Sequence, residues 1–589
     1  MAEIFQTTLS PSKLQLITGW MSRQRWYATK GREPQLRRLG GYRLDDPIGE
    51  VGIETLIVLD EGGPAPIVYQ VPLTYRSAPL AGAEAGLIGT IEHGVLGTRY
   101  VYDGPHDPVY AEQLLALARG RALAQHASIS FTLEPDVVGH PHPASGDVTP
   151  SASRVLGGEQ SNTSIVYEAT GPDGSASPVI IKVFRMLQHG QNPDVVLQEA
   201  LAGAGSQLVP RPLGDVTGTW EGAAGGIAVG HLAFAQEFIP GTQDAWRVAL
   251  DSIHTGKDFT AAARRLGIAT ASVHEALARI LPTVAASDEQ RAALTAGWRR
   301  RLYAALAQAP VLYAHSYWIE GVFARAAAAP WPGLQRVHGD YHLGQVLNAP
   351  GRGWVLLDFE GEPLRSLAER NEPDLALRDV AGMLRSVDYA AGSIEREHSE
   401  TVREVANAQR TAAAAAGPAV PSPVSGSGQV DPSRWAVATS AAFLEGYASI
   451  AGDPRSDPAG AALLDALLLD KALYEVVYEA RHRPSWVDIP VGAVQRLCVA
   501  AALTAPGLLP ADTPVGPPTD SPAATSPPAP SHERSASDVT ASQPPTTPEP
   551  VAPAEVAEFV EPPHPPEPEQ AAVVRNPPAS SAASSSSAA

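Results

Sequence analysis

The chain lacks features that several common classes of protein require. It contains one cysteine, Cys498, in 589 residues, which excludes an internal disulfide framework and a zinc site built from several cysteines. No apolar run reaches the roughly 18 residues that span a bilayer. The first residues lack a charged segment followed by an apolar run, so no signal peptide is predicted. The sequence therefore predicts a soluble, cytoplasmic protein.

Positive charge is also scarce. The chain has 63 acidic and 43 basic residues and a formal net charge of −20, which argues against binding to nucleic acid or to an anionic membrane. Only five of the basic residues are lysines, and the others are arginines. A lysine retained in a structured motif is therefore a candidate for a role that requires a compact ammonium group.

The pattern of apolar residues predicts an α+β protein. Alternating runs at 50–59 and 67–73 predict an antiparallel sheet, after a helix at 11–24. Further strands are predicted at 164–169, 179–184 and 233–238, and the chain is mainly helical from about 245 to 505. The predicted divisions are 1–90, 91–240, 241–505 and 506–589.

Two segments have the composition of disordered chain. Residues 506–589 hold 21 of the 55 prolines, ten acidic residues and two arginines, and such a segment buries too little apolar surface to offset its ordering entropy. Residues 412–433, rich in Ala, Gly, Pro and Ser, are predicted to form a flexible insert between helices.

The segment 337–363 concentrates polar groups between two short apolar strands. Asp340 precedes Gln345 by five residues, and Asp358 and Glu360 follow the second strand. This layout suits phosphoryl transfer, in which an acid accepts the proton of the acceptor hydroxyl and oxygen ligands hold Mg²⁺. Asp340 is the candidate base, and Gln345 and Asp358 are the candidate metal ligands. We expect His342 to orient Asp340 or the metal ligands.

This segment allows two other interpretations. One is a polar hairpin on the surface of a domain, which the combination of HGDYHLGQVL with LLDFE disfavours. The other is a zinc site, since His338 and His342 are four residues apart. That spacing binds metal on a helix, and Gly339, Gly344 and the strand-like surroundings disfavour a helix here.

A kinase also needs residues that hold the nucleotide. The chain has no GxxxxGK[ST] motif, which excludes a P-loop enzyme. Lys182 lies in the predicted strand VIIKVF, which resembles the strand that carries the phosphate-binding lysine of protein kinases. Glu199, seventeen residues later in a predicted helix, is a candidate partner for Lys182.

Two other segments complete the predicted nucleotide site. Ser161, Asn162 and Thr163 lie where a phosphate-covering loop is expected, and their side chains are candidate donors to phosphate. Gln236 and Phe238, at the end of a strand before the helical half, mark the expected hinge where backbone groups meet adenine.

A later helix is a candidate site for a sugar acceptor. Lys471, Tyr474, Glu475 and Tyr478 fall on one face of it. Tyrosine offers a flat apolar surface and a hydroxyl, and the charged groups offer hydrogen bonds to sugar hydroxyls. The alternative is a helix that packs its tyrosines into the core.

Taken together, these motifs resemble those of actinobacterial maltokinases. The similar segments include RQRWYATKGR, HGVLGTRYVYDGPHDPVY, GGEQSNTS, HGDYHLGQVL, LLDFEGEP, RDVAGMLRSVDYA and KALYEVVYEARHRPSW. The resemblance covers residues 10–500 and implies a bilobal protein-kinase-like fold. It implies an N-terminal cap (1–90), an N-lobe that ends at the hinge (91–240) and a mainly helical C-lobe (241–505).

The resemblance also implies an activity. It implies transfer of the γ-phosphate of ATP, with Mg²⁺, to the anomeric hydroxyl of maltose, giving maltose 1-phosphate for α-glucan synthesis from trehalose. Trehalose synthase is then a possible partner. By the same resemblance Asp340 is the base, Gln345 and Asp358 bind magnesium, Glu360 assists at the metal and Lys182 holds phosphates.

Three alternatives remain open at this point. A glucosamine kinase of the same fold would place carboxylates around the amine of its acceptor, and Glu475 and Glu479 allow this. Aminoglycoside phosphotransferases share the chemistry of the loop but lack the cap motifs. A pseudokinase scaffold would be expected to have lost a catalytic group, and none is missing here.

Overall fold

The computed structural model describes residues 4–5, 7–143, 146–157, 161–363, 365–416 and 430–504, with side chains over the same ranges except 405–416 and 501–504. The predicted tail at 506–589 lies outside these residues, as does most of the predicted insert at 412–433. The insert's first residues, 412–416, end a helix, and residues 432–433 begin the next one.

The N-terminal part of the chain folds into a large antiparallel sheet. The elements of this part are β1 Leu9–Ser10, α1 Lys13–Met21, β2 Leu36–Leu44, β3 Gly52–Asp60, β4 Ile67–Arg76, β5 Leu87–His93, β6 Gly97–Asp103, α2 Pro108–Ala118 and β7 Gln125–His126. The strand order of the sheet is β1-β5-β6-β4-β3-β2-β7. The predicted domain boundary at residue 90 falls inside β5, and the sheet continues beyond it because β5 pairs with β6.

A second antiparallel sheet follows, with strand order β8-β13-β14-β11-β10-β9. Its elements are β8 Val137–Pro141, β9 Thr149–Val155, β10 Asn162–Thr170, β11 Val179–Phe184, β12 Met186–Leu187, α3 Pro193–Gly203, β13 Pro212–Glu221 and β14 Ile227–Glu237. The short strand β12 leaves this sheet and pairs with β4 of the first. The strands predicted at 164–169, 179–184 and 233–238 correspond to β10, β11 and the end of β14.

The rest of the described chain is mainly helical. Its elements are β15 Gln243–Asp244, α4 Ala245–Thr255, α5 Thr260–Ile280, α6 Asp288–Gln308, α7 Ser316–Ala328, β16 Val346–Ala349, β17 Gly353–Leu356, α8 Leu367–Asn371, α9 Leu377–Ala416, α10 Pro432–Ala451, α11 Pro458–His482 and α12 Asp488–Thr504. One apolar core joins these helices and includes Trp298, Phe323 and Phe359. The predicted α+β, two-lobed fold with a sheet-rich first half is confirmed.

The strands β15, β16 and β17 form a small sheet on the helical lobe. The turn between β16 and β17 is 350–352, and the polar residues predicted to be catalytic lie at the outer ends of both strands. None of the helices in the described part of the chain has the length and apolar character needed to traverse a bilayer.

Candidate active site

The loop that carries Asp340 is fixed by a buried carboxylate of α9. Asp379 accepts the backbone N–H groups of His338 and Gly339, each at 2.9 Å, and its Oδ2 lies 3.0 Å from His274 Nε2. Burial alone would raise the pKa of Asp379, but its hydrogen bonds with His274 and with the N–H of Gly339 help to hold that pKa below its usual range. Gly339 has a φ of +85°, a conformation that disfavours other residues.

Two predicted histidines of this loop have structural contacts. His338 is 2% exposed, and its Nε2 lies 2.7 Å from the carbonyl oxygen of Leu357, which ties the loop to the segment after β17. His342 Nδ1 accepts the N–H of Gly344 at 3.1 Å and begins the 3₁₀ turn Leu343–Gln345. We expected His342 to orient Asp340 or the metal ligands. Its hydrogen bond with Gly344 shapes the turn that leads to Gln345, one of those candidate ligands, and the role of His342 stays a prediction.

Asp340 is in contact with the helix that we predicted to bind the acceptor. Lys471 Nζ on α11 donates to Asp340 Oδ1 at 3.0 Å and to Glu362 Oε1 at 3.3 Å. Burial would lower the pKa of Lys471, but these two carboxylates raise it above its usual range. The candidate base and the acceptor helix are therefore joined by an ion pair.

Three carboxylates that could hold a metal meet around Lys182. One oxygen each of Asp194, Asp358 and Glu360 lie within 4.8 Å of one another. Lys182 Nζ lies 2.6 Å from Asp358, 2.8 Å from Asp194 and 3.6 Å from Glu360. Gln345 Nε2 donates to Asp358 Oδ2 at 2.9 Å. Carboxylate and amide oxygens are ligands that suit Mg²⁺, so the residues present fit that ion.

The backbone and charge of this cluster are unusual. Asp358 has a φ of +63°, which is uncommon outside glycine and is often found at functional sites. Burial raises the pKa of Glu360 to about 7, and repulsion by Asp358 and Asp194 adds to the shift although Lys182 opposes it. A carboxyl group so placed is stabilised as an anion when further positive charge is bound beside it.

The predicted partner of Lys182 was wrong. Asp194, in the first turn of α3, makes the ion pair that we assigned to Glu199, which lies more than one turn further along that helix. Burial, together with the charge of Asp215, raises the pKa of Glu199 to about 7. The sequence offered two acids on one helix, and its spacing did not show which one reached β11.

The predicted phosphate-loop residues face different sides of the second sheet. Asn162 Nδ2 donates to Glu360 Oε1 at 3.1 Å, so its side chain reaches the carboxylate cluster. Thr163 points to the other side, where its hydroxyl accepts from Arg185 Nε at 2.8 Å. Our assignment of Thr163 as a phosphate donor was therefore wrong, because side chains alternate along a strand. Ser161 is half-buried, and residues 158–160 lie outside the described ranges.

The predicted hinge lies at the end of β14. Gln236 is 8% exposed, and the N–H of Phe238 donates to the carbonyl oxygen of Pro178 at 3.0 Å. Arg352, in the turn between β16 and β17, donates to Glu237 Oε2 at 3.0 Å and to the carbonyl oxygen of Gln207 at 2.7 Å. The end of β14 and the β16–β17 hairpin are thus joined by a hydrogen-bonded ion pair.

The acceptor helix presents an aromatic row beside Lys471. The Lys471 ammonium lies 4.8 Å from the ring centre of Tyr474, and the rings of Tyr474 and Tyr478 are stacked at 6.4 Å. Glu475 accepts from Arg385 Nη2 at 2.5 Å. Of the predicted acceptor residues, Glu475 is therefore paired with Arg385, whereas Lys471 lies beside Asp340.

The motifs alone did not lead to several residues of this site. Three acids were not predicted: Asp194 accepts from Lys182, Asp379 accepts from the loop that carries Asp340, and Glu362 accepts from Lys471. Asp379 and Glu362 lie in the segments RDVAGMLRSVDYA and LLDFEGEP, whose sequences do not indicate the role of either acid. Asp194 directly follows the Asn-Pro pair that begins α3, which marks a helix start but no function.

Comparison with known proteins agrees with this geometry. The structure resembles that of a glucosamine kinase in crystal form B, with a TM-score of 0.54 and 23% identity, over 83% of this chain and 99% of the other. A glucosamine kinase in complex with glucosamine, ADP and inorganic phosphate gives a TM-score of 0.51 at 23% identity, over 83% and 99%. The chain thus shares the fold of these solved structures.

Sequence comparison places the chain more narrowly. Residues 20–107 match the family described as the maltokinase N-terminal cap domain. The chain is 27% identical to a glucosamine kinase of Streptacidiphilus jiangxiensis over 457 residues, 75% of this chain and 90% of the relative. It is also 27% identical to a glucosamine kinase of Mycolicibacterium smegmatis over 405 residues, 67% and 89%. These findings support a kinase of this fold and a maltokinase-like protein.

Proposed function

We propose that this protein is an ATP-dependent maltokinase that transfers the γ-phosphate of ATP to the anomeric hydroxyl of maltose. The observation that carries the proposal is the ion pair between Lys471 and Asp340, which places the tyrosine row of α11 next to the candidate base. A sugar that lies against Tyr474 and Tyr478 would then bring a hydroxyl toward Asp340.

The chemistry assigns one task to each group. Asp340 accepts the proton of the anomeric hydroxyl while the oxygen of that hydroxyl bonds to the γ-phosphorus. The bond between the γ-phosphorus and the bridging oxygen breaks, and ADP leaves with that oxygen. Lys182 supplies an ammonium to the phosphates. Asp358 and Gln345, with Glu360 and Asp194 beside them, would hold Mg²⁺. Magnesium bound there supplies positive charge that offsets the charge of the phosphate oxygens.

The charges near the acceptor helix favour a neutral sugar. An amino sugar needs a carboxylate without a cationic partner for its ammonium group. Glu475 is paired with Arg385, and Glu479 is paired with Arg483 at 2.5 Å. Lys471 adds a further positive charge beside Asp340, so an ammonium group close to the base would be repelled.

A glucosamine kinase is the second candidate, and the relatives named above favour it. The product of the first candidate, maltose 1-phosphate, would serve α-glucan synthesis from trehalose, and we propose trehalose synthase as a partner on that basis.

The deciding experiment measures ATP consumption with Mg²⁺ against maltose, glucose, glucosamine, trehalose and kanamycin, followed by phosphorus NMR of any product. We expect turnover on maltose, with the phosphate on the anomeric oxygen. Turnover confined to glucosamine would overturn the acceptor assignment and leave the role of Asp340 intact. Magnesium-dependent ATP binding without turnover on any of the five would move the proposal to another acceptor or to a scaffold.

A further inference from the structure

Arg185 is the one residue that separates strand β11 from strand β12. Strand β11 of the second sheet ends at Phe184, and β12, which pairs with β4 of the first sheet, begins at Met186. The chain therefore passes from the sheet that carries Lys182 to the sheet of the N-terminal cap at this residue. Arg185 is fully buried, with 0% of its surface exposed.

The guanidinium group of Arg185 bonds to both sheets. Its Nη2 donates to both carboxylate oxygens of Asp103 in β6, at 2.9 and 2.7 Å, and its carbon lies 4.8 Å from the ring centre of Trp26. Its Nε donates to the hydroxyl of Thr163 at the start of β10. Asp103 and Trp26 belong to the part of the chain that matches the cap domain, whereas Thr163 belongs to the second sheet.

A second contact holds the same crossing point. Gln70 of β4 donates its side-chain amide to the carbonyl oxygens of Phe184 and Leu232, at 3.0 and 2.9 Å. The backbone N–H of Gln70 donates to the carbonyl oxygen of Arg185 at 2.8 Å. The backbone of Arg185 is therefore held by the cap on one side while its side chain reaches Thr163 on the other.

Strand β10 has one side toward the cap and the other toward the carboxylate cluster. Thr163 and Asn162 are neighbours in β10 and point to opposite sides of the sheet. Thr163 bonds to Arg185, and Asn162 bonds to Glu360. The residue held from behind by Arg185 is thus the neighbour of one that reaches the candidate metal and phosphate groups. The segment predicted to cover the phosphates joins β10 at this end.

We propose that Arg185 is a positioning residue through which the N-terminal cap sets the place of the start of β10, and so the affinity of the kinase for its nucleotide. The inference rests on the nucleotide site proposed above. A buried arginine paired with one carboxylate is costly to desolvate. Here the arginine also bonds to Thr163, the neighbour of the residue that reaches Glu360.

The test uses a matched pair at Thr163 in the full-length protein. Thr163→Val keeps the shape of the side chain and removes the hydroxyl acceptor, whereas Thr163→Ser keeps the hydroxyl. We expect Thr163→Val to weaken Mg–ATP binding, measured by calorimetry, by roughly tenfold, as for loss of a hydrogen bond to a charged group. Thr163→Ser should bind nucleotide as the wild type does. The KM for the acceptor at saturating ATP should change in neither variant.

A second ion pair, with a buried carboxylate, serves as the control for a merely structural role. Arg76 donates twice to Asp107, at 2.7 Å each, and this pair joins β4 to the start of α2. Helix α2 meets β10 further along, where Tyr167 donates to the carbonyl oxygen of Ala111, and not at Asn162 and Thr163. Asp103→Asn and Asp107→Asn should both lower the melting temperature, and only Asp103→Asn should weaken nucleotide binding.

Each other outcome overturns the inference in a recognisable way. If Thr163→Val binds nucleotide like the wild type, Arg185 does not act through β10. If Asp107→Asn weakens nucleotide binding as much as Asp103→Asn does, the effect is one of general stability. If the wild type binds no Mg–ATP, the proposed nucleotide site itself is wrong, and the inference fails with it.

Discussion

The assignment of Asp194 as the partner of Lys182 gives a sharp prediction. Asp194 is fully buried; its Oδ2 accepts from Lys182, and its Oδ1 accepts from Gln198 at 2.6 Å and from the N–H of Phe359 at 2.8 Å. Asp194→Asn keeps an oxygen for the last two bonds and turns an amide N–H₂ group toward the ammonium. The variant therefore removes the ion pair with little change of shape.

The size of the effect follows from burial. Breaking a buried ion pair costs about 3–5 kcal/mol. Lys182 is 13% exposed in its side chain and keeps Asp358 and Glu360 as neighbours, so we take the lower end. We expect this cost to fall on the active position of Lys182, because Lys182 loses its fully buried carboxylate partner. About 3 kcal/mol of transition-state stabilisation then corresponds to a loss of roughly 100-fold in kcat/KM for ATP.

Glu199→Gln on the same helix is the matched control. It removes an acid of similar type that is not paired with Lys182, so we expect kcat/KM for ATP to stay within about twofold, as for changes away from the site. Steady-state kinetics over ATP concentration at saturating acceptor measures both variants. A wild-type value for Asp194→Asn, or an equal loss in Glu199→Gln, would refute the assignment.

Further predictions concern the other groups. Asp340→Asn should lower turnover by about 10²–10⁴-fold with nucleotide affinity by calorimetry unchanged; near-normal turnover would show that Asp340 is not the base. Asp358→Asn should abolish the magnesium dependence of nucleotide binding, and unaltered dependence would contradict its role as a ligand. Tyr478→Ala should raise the KM for the sugar roughly tenfold without changing the KM for ATP. The pKa of Glu199 is about 7 in the folded protein and near 4.3 when unfolded, so its ionisation disfavours folding: thermal stability should fall from pH 5 to pH 8 by less in Glu199→Gln than in the wild type. An equal fall would contradict the burial of this group.

Local patterns were sufficient to predict most of the fold. The strands around Lys182 and the hairpin between Gln345 and Asp358 were predicted because each carries a continuous apolar run bounded by glycines or polar turns. The boundary at residue 90 failed for a related reason. The segment GTRYVYD of β6 mixes Arg and Asp into a short strand, and its pairing with β4 on one side and β5 on the other makes it part of the first sheet.

The site could be predicted only where its residues are close in sequence. Asp340, Gln345 and Asp358 lie within one hairpin, so their spacing reports their geometry. Asp194 reaches Lys182 from another element, and the choice between Asp194 and Glu199 depends on how α3 packs on the sheet. The side of β10 on which Thr163 lies depends on register with β11, where Thr163 is opposite Val183. Neither quantity is encoded in a local motif.

The bonds of Arg352 bear on how the two lobes could move. Besides Glu237 and Gln207, Arg352 donates to the carbonyl oxygen of Val209, and the N–H of Leu356 donates to that of Leu208 at 2.7 Å. The loop 207–209 of the N-lobe is therefore hydrogen-bonded to the same hairpin that is flanked by Gln345 and Asp358. A rotation that separated the lobes would have its axis along this bonded edge. The predicted hinge at the end of β14 would then keep a nearly constant distance from Gln345 and Asp358, while β10, β11 and the cap would move through the larger arc.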